Sequence, residues 1–189
     1  MSDDNVPARE MNEKTVAKHT IYSGKIVSLR VDDALDNYGK PIEREVVEHP
    51  GGVGILALDD DGNALLVRQF RYGVGETVLE IPAGKLEAGE APLTCGKREL
   101  TEETGYEAAE WMDLGVLLPT PAYDTERIYI YLAKRLTWRG QHLDESECLE
   151  LVRIPLKNAV EMVTNNEITD GKTQVALLKA WFMAGYGGR

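Results

Sequence analysis

The chain has 189 residues, of which 43% are hydrophobic and 28% charged, and its formal net charge is −11 at pH 7. These values are typical of a single globular domain and exclude a fibrous or wholly disordered protein. The acidic excess argues against a nucleic-acid partner, since neutralising a phosphate backbone requires clustered Lys and Arg. We therefore expect any bound phosphate to be held locally, by a divalent cation or a few arginines.

Cysteine usage and hydropathy indicate the compartment. The only cysteines, Cys95 and Cys148, have neither the spacing of a disulfide framework nor that of a thiolate metal site. The N-terminus is polar, and no stretch approaches the roughly 18 apolar residues that cross a bilayer. We expect a cytoplasmic protein with no membrane partner.

The N-terminal quarter of the chain is predicted to be a tail followed by a small sheet. Residues 1–13 have no hydrophobic periodicity and are expected to form a flexible tail. Residues 14–50 are predicted to form an N-terminal antiparallel β unit, because short β-prone runs alternate with turn residues. Its expected strands are Val16–Tyr22, Lys25–Ala34 and Pro41–His49.

Residues 51–184 are predicted to form the main domain, and residues 185–189 a frayed C-terminus. The hydrophobic pattern predicts strands over Gly52–Leu58, Ala64–Phe70, Thr77–Ile81, Trp111–Leu118, Ile128–Ala133 and Cys148–Ile154. It predicts helices over Pro92–Thr104, Leu156–Thr164 and Lys172–Met183. Pro92 suits the first turn of its helix, and Gly105 suits the C-cap. Strands and helices are interleaved, so the class is mixed α and β.

Three carboxylates share one face of the first predicted helix. Glu99, Glu102 and Glu103 stand at i, i+3 and i+4, where like charges repel unless a cation compensates them. Carboxylate-rich sites suit Mg²⁺ and Mn²⁺. Arg98 can orient a carboxylate through a charge-assisted hydrogen bond. The spacing alone also fits a solvated acidic helix face.

The segment around this helix, GKLEAGEAPLTCGKRELTEETGY, resembles the Nudix box G-x5-E-x7-R-E-U-x-E-E-x-G-U, in which U is a bulky apolar residue. The matching positions are Gly84, Glu90, Arg98, Glu99, Leu100, Glu102, Glu103 and Gly105, with Tyr106 at the final apolar position. The resemblance implies an α/β/α sandwich with a mixed sheet. It also implies that Glu99 and Glu103, helped by Glu102 and the main-chain carbonyl of Ala83, bind Mg²⁺, with Mn²⁺ as the alternative.

The resemblance extends from about Glu13 to Ala180 and is to the ADP-ribose pyrophosphatase branch of this family. It rests on R-E-V-V-E-H-P-G, V-R-Q-F-R, E-I-P-A-G-K-L-E and P-T-P-A-Y-D-T-E-R, and on Pro121, which lies 15 residues after Tyr106. The implied reaction is hydrolysis of ADP-ribose to AMP and ribose 5-phosphate. The alternatives are another nucleoside diphosphate sugar, such as GDP-mannose, or a non-catalytic nucleotide-binding module.

The same resemblance supplies candidate substrate contacts. Arg71 would contact the diphosphate, and Arg44 and Glu45 match substrate-side positions. Glu126 matches a residue near the terminal ribose that is reached from a partner subunit, and Tyr22 would stack on adenine. These residues also fit ordinary roles. Arg71 could be a surface arginine, Arg44 and Glu45 an edge-strand charge pair, and Tyr22 a packed aromatic ring.

The resemblance also implies that, with the box glutamates bound to metal, the general base comes from a loop between the last strands, which corresponds here to Gln141–Cys148. Glu145 and Glu147 are the loop candidates, Glu147 is also a candidate metal ligand, and Glu102 of the box is a further catalytic candidate. In related enzymes the N-terminal β unit exchanges across a two-fold axis, so a homodimer is expected.

Overall fold

The computed structural model describes residues 11–143 and 148–185. The described residues form two compact units: one is residues 11–49 with Thr120–Thr125, and the other is Pro50–Pro119 with the described residues from Glu126 onward. The described strands are β1 (Lys14–Ser23), β2 (Ser28–Leu35), β3 (Pro41–Glu48), β4 (Gly52–Leu58), β5 (Asn63–Arg71), β6 (Glu76–Glu80), β7 (Ala83–Lys85), β8 (Tyr106–Leu117), β9 (Ile128–Trp138) and β10 (Leu149–Pro155). The described helices are α1 (Pro92–Thr104), α2 (Leu156–Thr164) and α3 (Gly171–Met183).

The N-terminal unit is a three-stranded antiparallel sheet in the order β1-β2-β3, as predicted. An Asx turn joins β2 to β3, since Asp36 Oδ1 accepts hydrogen bonds from the main-chain N–H groups of Tyr38 (2.8 Å) and Lys40 (2.9 Å). The segment Thr120–Thr125, which the predicted boundaries place in the main domain, belongs to this unit. It is attached by a 2.7 Å hydrogen bond from Val47 N–H to the carbonyl of Tyr123.

The larger unit contains a mixed sheet in the order β10-β5-β4-β9-β8, with β6 paired to β5 and β7 paired to β4. β4 and β9 run parallel, and the other described pairs are antiparallel. β4 is buried along its whole length, as expected for a central strand whose residues are apolar on both faces.

The side chains of β4 alternate between two hydrophobic cores. Val53 and Ile55 belong to the cluster that includes Cys95 and Leu100 of α1. Leu56 belongs to the cluster formed with residues of α2 and α3. Burial of a Leu or Ile side chain contributes about 1.5–3 kcal/mol, so the two clusters hold the helices on opposite faces of the sheet. The predicted α/β/α sandwich is confirmed.

Helix α1 has the predicted bounds. Pro92 occupies its first turn, where the missing N–H has no intrahelical partner to lose. Gly105 ends it in the left-handed conformation, with φ at 76°, and donates its N–H to the carbonyl of Thr101 at 2.8 Å. None of the helices within residues 11–143 and 148–185 is long and apolar enough to cross a membrane.

Most strand ends differ from the predictions by one to three residues, and β7, β8 and β9 show why local patterns miss some elements and ends. β7 was not predicted, because three residues that include a glycine become a strand only by pairing with β4. β8 begins at Tyr106 rather than Trp111 and passes through a bulge between Asp113 and Gly115. β9 continues to Trp138 because its polar end pairs with the extended start of β8, a contact that local periodicity does not reveal.

Candidate active site

The box helix carries two buried carboxylates on one face. Glu99 is 8% exposed and Glu103 is 2% exposed, and they lie one helical turn apart. The main-chain N–H of Ala83 donates a 3.0 Å hydrogen bond to Oε2 of Glu103. Glu103 is thus fixed against the loop that precedes α1, and its side chain is oriented before any ligand binds.

Gly84 allows this loop to approach the helix. A Cβ atom at this position would lie 1.8 Å from both Cδ and Oε1 of Glu99, an overlap that no side chain could occupy. Its φ is outside the left-handed region. The glycine is therefore required for space at the carboxylate.

Arg98 connects three carboxylates. Its Nη1 donates to Oε1 of Glu99 at 2.7 Å and to Oε2 of Glu102 at 2.9 Å. Its Nε and Nη2 donate to the two oxygens of Glu90 at 3.2 and 3.1 Å. The hydrogen bonds that Glu90 accepts raise the pKa of Arg98, and the guanidinium in turn lowers the pKa of Glu90. Arg98 therefore stays charged and holds the box glutamates in place.

The donor set has the chemistry of a hard-cation site. Glu99, Glu102 and Glu103 supply carboxylate oxygens on one helical face, and one guanidinium contacts three carboxylates, so the cluster keeps a net negative charge. Within residues 11–143 and 148–185, no three acidic, His or Cys side chains form a ready-made metal cluster. A cation here therefore needs main-chain oxygen, water or substrate oxygens in addition to the glutamates, as Mg²⁺ commonly does. The residues fit such an ion.

The cysteine next to the site is not a nucleophile. Burial, followed by the charge of Glu90, raises the pKa of Cys95 to about 12. Its thiol is therefore neutral at physiological pH, whereas nucleophilic cysteines react as thiolates. The sulfur contacts Nη2 of Arg98 at 3.4 Å and packs against the sheet.

Arg71, the predicted diphosphate contact, lies at the end of β5. Its Nε donates a 2.6 Å hydrogen bond to Oε1 of Glu80, whose side chain is 1% exposed, while the Arg71 side chain remains 42% exposed. Although burial opposes the charge, the hydrogen bond with Glu80 and the fields of Glu80, Glu103 and Asp170 raise the pKa of Arg71. The guanidinium is thus a permanent cation within the field of the box carboxylate Glu103.

Glu80 is the centre of a charged cluster that sequence reasoning missed. Lys172 donates to its second oxygen, Oε2, and also to Oδ1 of Asp170 at 3.0 Å. Asp170 caps α3 by accepting from the N–H of Thr173 at 2.9 Å. The motif E-I-P-A-G contained Glu80, but its partner Lys172 is 92 residues away, so no local pattern connects them.

The predicted substrate residues of the N-terminal unit lie on its surface. Tyr22 is 59% exposed at the end of β1. Arg44 does not pair with its neighbour Glu45; it donates from Nε to Oε2 of Glu13 at 2.9 Å and from Nη2 to Oε1 at 2.5 Å. These contacts lower the pKa of Glu13 and raise that of Arg44. Glu45 is exposed on the same strand.

Pro121 and Glu126 fall in different units. Pro121 is exposed in the turn of Thr120–Thr125, where Asp124 N–H donates to the carbonyl of Thr120 at 3.0 Å. Oε1 of Glu126 lies 3.9 Å from the position of a Cβ on Gly52, and the carbonyl oxygen of Gly84 lies 3.0 Å from the same point. This chain's own Glu126 is therefore close to the loop that precedes α1.

The general-base candidates Glu145 and Glu147 lie outside the described residues. The chain leading to them is attached to the C-terminal end of α1. His142 N–H donates to the carbonyl of Glu102 at 3.2 Å, and the side-chain amide of Gln141 donates to the carbonyl of Glu103. The loop therefore starts at the helix that carries the carboxylates.

A family model and curated relatives match this chain. The model of the NUDIX domain matches residues 48–175. An ADP-ribose pyrophosphatase of Bacillus subtilis (strain 168) is 40% identical over 89% of this chain and 92% of its own length. A GDP-mannose pyrophosphatase of Salmonella paratyphi B is 33% identical over 86% of this chain and 92% of its own length. The chain belongs to the NUDIX domain family.

A solved structure supports the fold assignment. A crystal structure of an ADP compounds hydrolase superimposes with a TM-score of 0.82 over 95% of this chain and 99% of the other, at 22% identity. At that identity the likeness establishes the fold alone. The carboxylates of α1 and their contacts with Arg98, Ala83 and Gly84 are properties of this chain.

Proposed function

We propose that this chain hydrolyses the pyrophosphate bond of ADP-ribose, giving AMP and ribose 5-phosphate, with Mg²⁺ as the cofactor and Mn²⁺ as a substitute. The observation that carries the proposal is the pair Glu99 and Glu103, two buried carboxylates fixed one helical turn apart beside a glycine that leaves them room. Similarity to the ADP-ribose pyrophosphatase of Bacillus subtilis over most of both chains supports this substrate.

The cation would be held by the carboxylates of Glu99, Glu102 and Glu103 and by the carbonyl of Ala83. When bound, it acidifies water and offsets the charge that develops on the phosphate oxygens. Arg98 keeps Glu99 and Glu102 pointing to one side of the helix through bonds of 2.7 and 2.9 Å. The carboxylates are thus already oriented in the folded protein, so little conformational entropy is lost when the cation binds.

Arg71 binds the diphosphate in this proposal. A guanidinium offers paired N–H donors that match phosphate oxygens, and the side chain is 42% exposed. Because its charge is permanent, it attracts a polyanionic substrate to a protein whose net charge is −11. In-line attack by water on one phosphorus then requires a proton acceptor.

We assign that acceptor to the loop after Gln141, with Glu145 or Glu147 taking the proton from water and Glu147 also contributing to the cation. Glu102 stays a secondary candidate, because Arg98 already occupies one of its oxygens. Separate Glu145→Gln and Glu147→Gln variants test the assignment. The base is identified by a loss of kcat of about 100-fold or more, within the range of general-base catalysis, with metal affinity retained.

A homodimer through the N-terminal unit completes the proposal. This unit exposes the apolar side chains of Val16, Ile21 and Ile26, and such surfaces mark interfaces. Tyr22, Arg44, Glu45 and Pro121 would contact substrate from this unit, with Glu126 near the terminal ribose. Light scattering on a sizing column should give twice the chain mass of 21.0 kDa. A monomeric mass would contradict the dimer.

A cytoplasmic location is proposed because both cysteines, Cys95 and Cys148, are free thiols, as a reducing compartment maintains them. The measurement is thiol labelling of the protein in unbroken cells. Complete labelling of Cys148, which is exposed, supports the location, and an oxidised Cys148 contradicts it.

The substrate is tested by anion-exchange analysis of products from ADP-ribose, GDP-mannose and NADH, each with Mg²⁺. Selective release of AMP and ribose 5-phosphate from ADP-ribose is expected. Release of GMP from GDP-mannose at a higher kcat/KM than for ADP-ribose would make GDP-mannose the substrate. The similarity to the Salmonella GDP-mannose pyrophosphatase is the reason to test it. Binding without turnover of any substrate would favour a non-catalytic module.

A further inference from the structure

Glu80 is held by two cationic side chains, one of which is 92 residues away in the chain. It ends β6, its side chain is 1% exposed, and each of its two oxygens has its own cationic partner. Oε1 accepts from Arg71 Nε at 2.6 Å, and Oε2 accepts from Lys172. A carboxylate with both oxygens engaged cannot rotate freely, so its orientation toward Arg71 is fixed.

The other end of the cluster is equally constrained. Lys172 is 10% exposed and also contacts Asp170, whose Oδ2 accepts hydrogen bonds from both the N–H and the hydroxyl of Thr173. That hydroxyl oxygen accepts the N–H of Ile81 at 2.8 Å, directly after Glu80 in the chain. The N-terminus of α3 and the end of β6 are thus joined, and two positive charges balance two negative ones.

The remaining donors of Arg71 face no described acceptor. Among residues 11–143 and 148–185, the guanidinium makes one hydrogen bond, through Nε. Nη1 and Nη2 therefore keep their N–H groups for a ligand, and a guanidinium held at Nε presents this outer edge in a defined direction. An arginine at the end of a strand would otherwise sample many rotamers and lose entropy on binding.

We infer that Glu80 is a positioning residue for substrate binding: with Lys172 behind it, it holds Arg71 so that the outer edge of the guanidinium meets the diphosphate. The inference rests on the proposed function for the role of Arg71 as a diphosphate contact. It predicts that Glu80 affects substrate affinity only through Arg71.

A double-mutant cycle tests this directly, with Glu80→Gln, Arg71→Lys and the double variant compared in kcat and KM for ADP-ribose. Glu80→Gln should raise KM by about 10- to 100-fold with a smaller change in kcat, since a charged hydrogen bond that orients the arginine is lost. In the Arg71→Lys background the same substitution should change KM less than about threefold. The inference would be overturned if the fold-changes in KM of the two single variants simply multiplied in the double variant, or if Glu80→Gln had the wild-type KM.

Glu76→Gln is the matched control. Glu76 lies on the same strand, pairs with Arg71 in the β5–β6 ladder and is exposed, but its side chain makes no hydrogen bond to the Arg71 guanidinium among the described residues. Its KM should stay at the wild-type value. If Glu80→Gln does not fold, Glu80→Asp replaces it, because aspartate keeps the charge near Lys172 but shortens the reach to Arg71; the same rise in KM is expected.

A second readout separates this inference from the proposed function. The Nε–H signal of Arg71 in a ¹H–¹⁵N NMR spectrum, assigned by its loss in Arg71→Lys, should exchange with water at least about 10 times faster in Glu80→Gln than in the wild type or Glu76→Gln. Equal exchange rates would overturn the positioning role. If the wild type hydrolyses GDP-mannose instead of ADP-ribose, the proposed substrate fails, and the mutant cycle is measured with GDP-mannose.

Discussion

Gly84 lies so close to Glu99 that a single added carbon at the glycine would meet the glutamate's carboxylate at 1.8 Å. The overlap involves the part of Glu99 proposed to bind the cation, and Glu99 is also fixed by Arg98 at 2.7 Å. Neither the loop at Gly84 nor the Glu99 carboxylate can move without displacing the other. The box glycine and the box glutamate therefore form one structural unit.

The Gly84→Ala variant should lose activity without losing its fold. Displacement of Glu99 by about 1 Å or more should lower kcat/KM by about 100-fold, because misplacing a catalytic group by this distance has effects of that size. Steady-state kinetics with ADP-ribose measures the effect. Gly73→Ala is the control, since a Cβ there meets no atom within 4 Å and should leave kcat/KM unchanged. A wild-type kcat/KM for Gly84→Ala would show that the close approach of Gly84 to Glu99 does not matter for catalysis.

Arg98→Lys should weaken the carboxylate face although it conserves the charge. A lysine cannot reach Glu90, Glu99 and Glu102 together, because it lacks the planar set of donors. We expect kcat/KM to fall about 10- to 100-fold and the Mg²⁺ concentration for half-maximal activity to rise. Arg68→Lys, which alters an exposed pair with Glu150 at 2.6 Å, should match the wild type. Equal Mg²⁺ dependence in both variants would contradict this role of Arg98.

The Arg98–Glu90 pair makes stability depend on pH. The pKa of Glu90 in the folded protein lies below its usual value of 4.5, mainly because Arg98 donates hydrogen bonds to the carboxylate. Its contribution is therefore complete above pH 4.5 and is lost as the pH falls through the lower folded value. Wild type should have a higher Tm than Glu90→Gln at pH 7, and the difference should shrink below pH 4.5. A difference that grows on acidification would contradict this.

Lys172→Met should destabilise the protein by about 3 kcal/mol, because Glu80 is buried and would keep only Arg71 as a counter-charge. Urea unfolding measures the change in free energy. Lys157→Met is the matched control: its ion pair with Glu161 spans 3.8 Å and is exposed, so its loss should cost less than about 0.5 kcal/mol. A loss of similar size in the two variants would mean that the buried cluster contributes no special stability.

The main elements could be read from the sequence because their signals are local. The unbroken apolar run of Gly52–Leu58 predicts a central strand, and Pro92 and Gly105 delimit α1 correctly. The helical spacing of Glu99 and Glu103 places both on one face, although spacing alone does not reveal that both are buried.

The contacts that organise the site could not be read in this way. The reach of Lys172 to Glu80 joins residues 92 positions apart, and β7 exists only because it pairs with β4. The partner of Arg44 is Glu13, at the edge of the predicted flexible tail, rather than the neighbouring Glu45. Each depends on tertiary packing, which sequence periodicity does not encode.

The most direct test of the central proposal is metal-dependent turnover of ADP-ribose after chelation, in wild type, Gly73→Ala and Glu103→Gln. We expect no AMP release from any chelated protein and full recovery on addition of Mg²⁺ in wild type and Gly73→Ala. Glu103→Gln should stay at least about 100-fold slower at saturating Mg²⁺, because its buried carboxylate is a proposed ligand. Turnover by the chelated wild type, or full activity of Glu103→Gln, would contradict a cation-dependent pyrophosphohydrolase centred on α1.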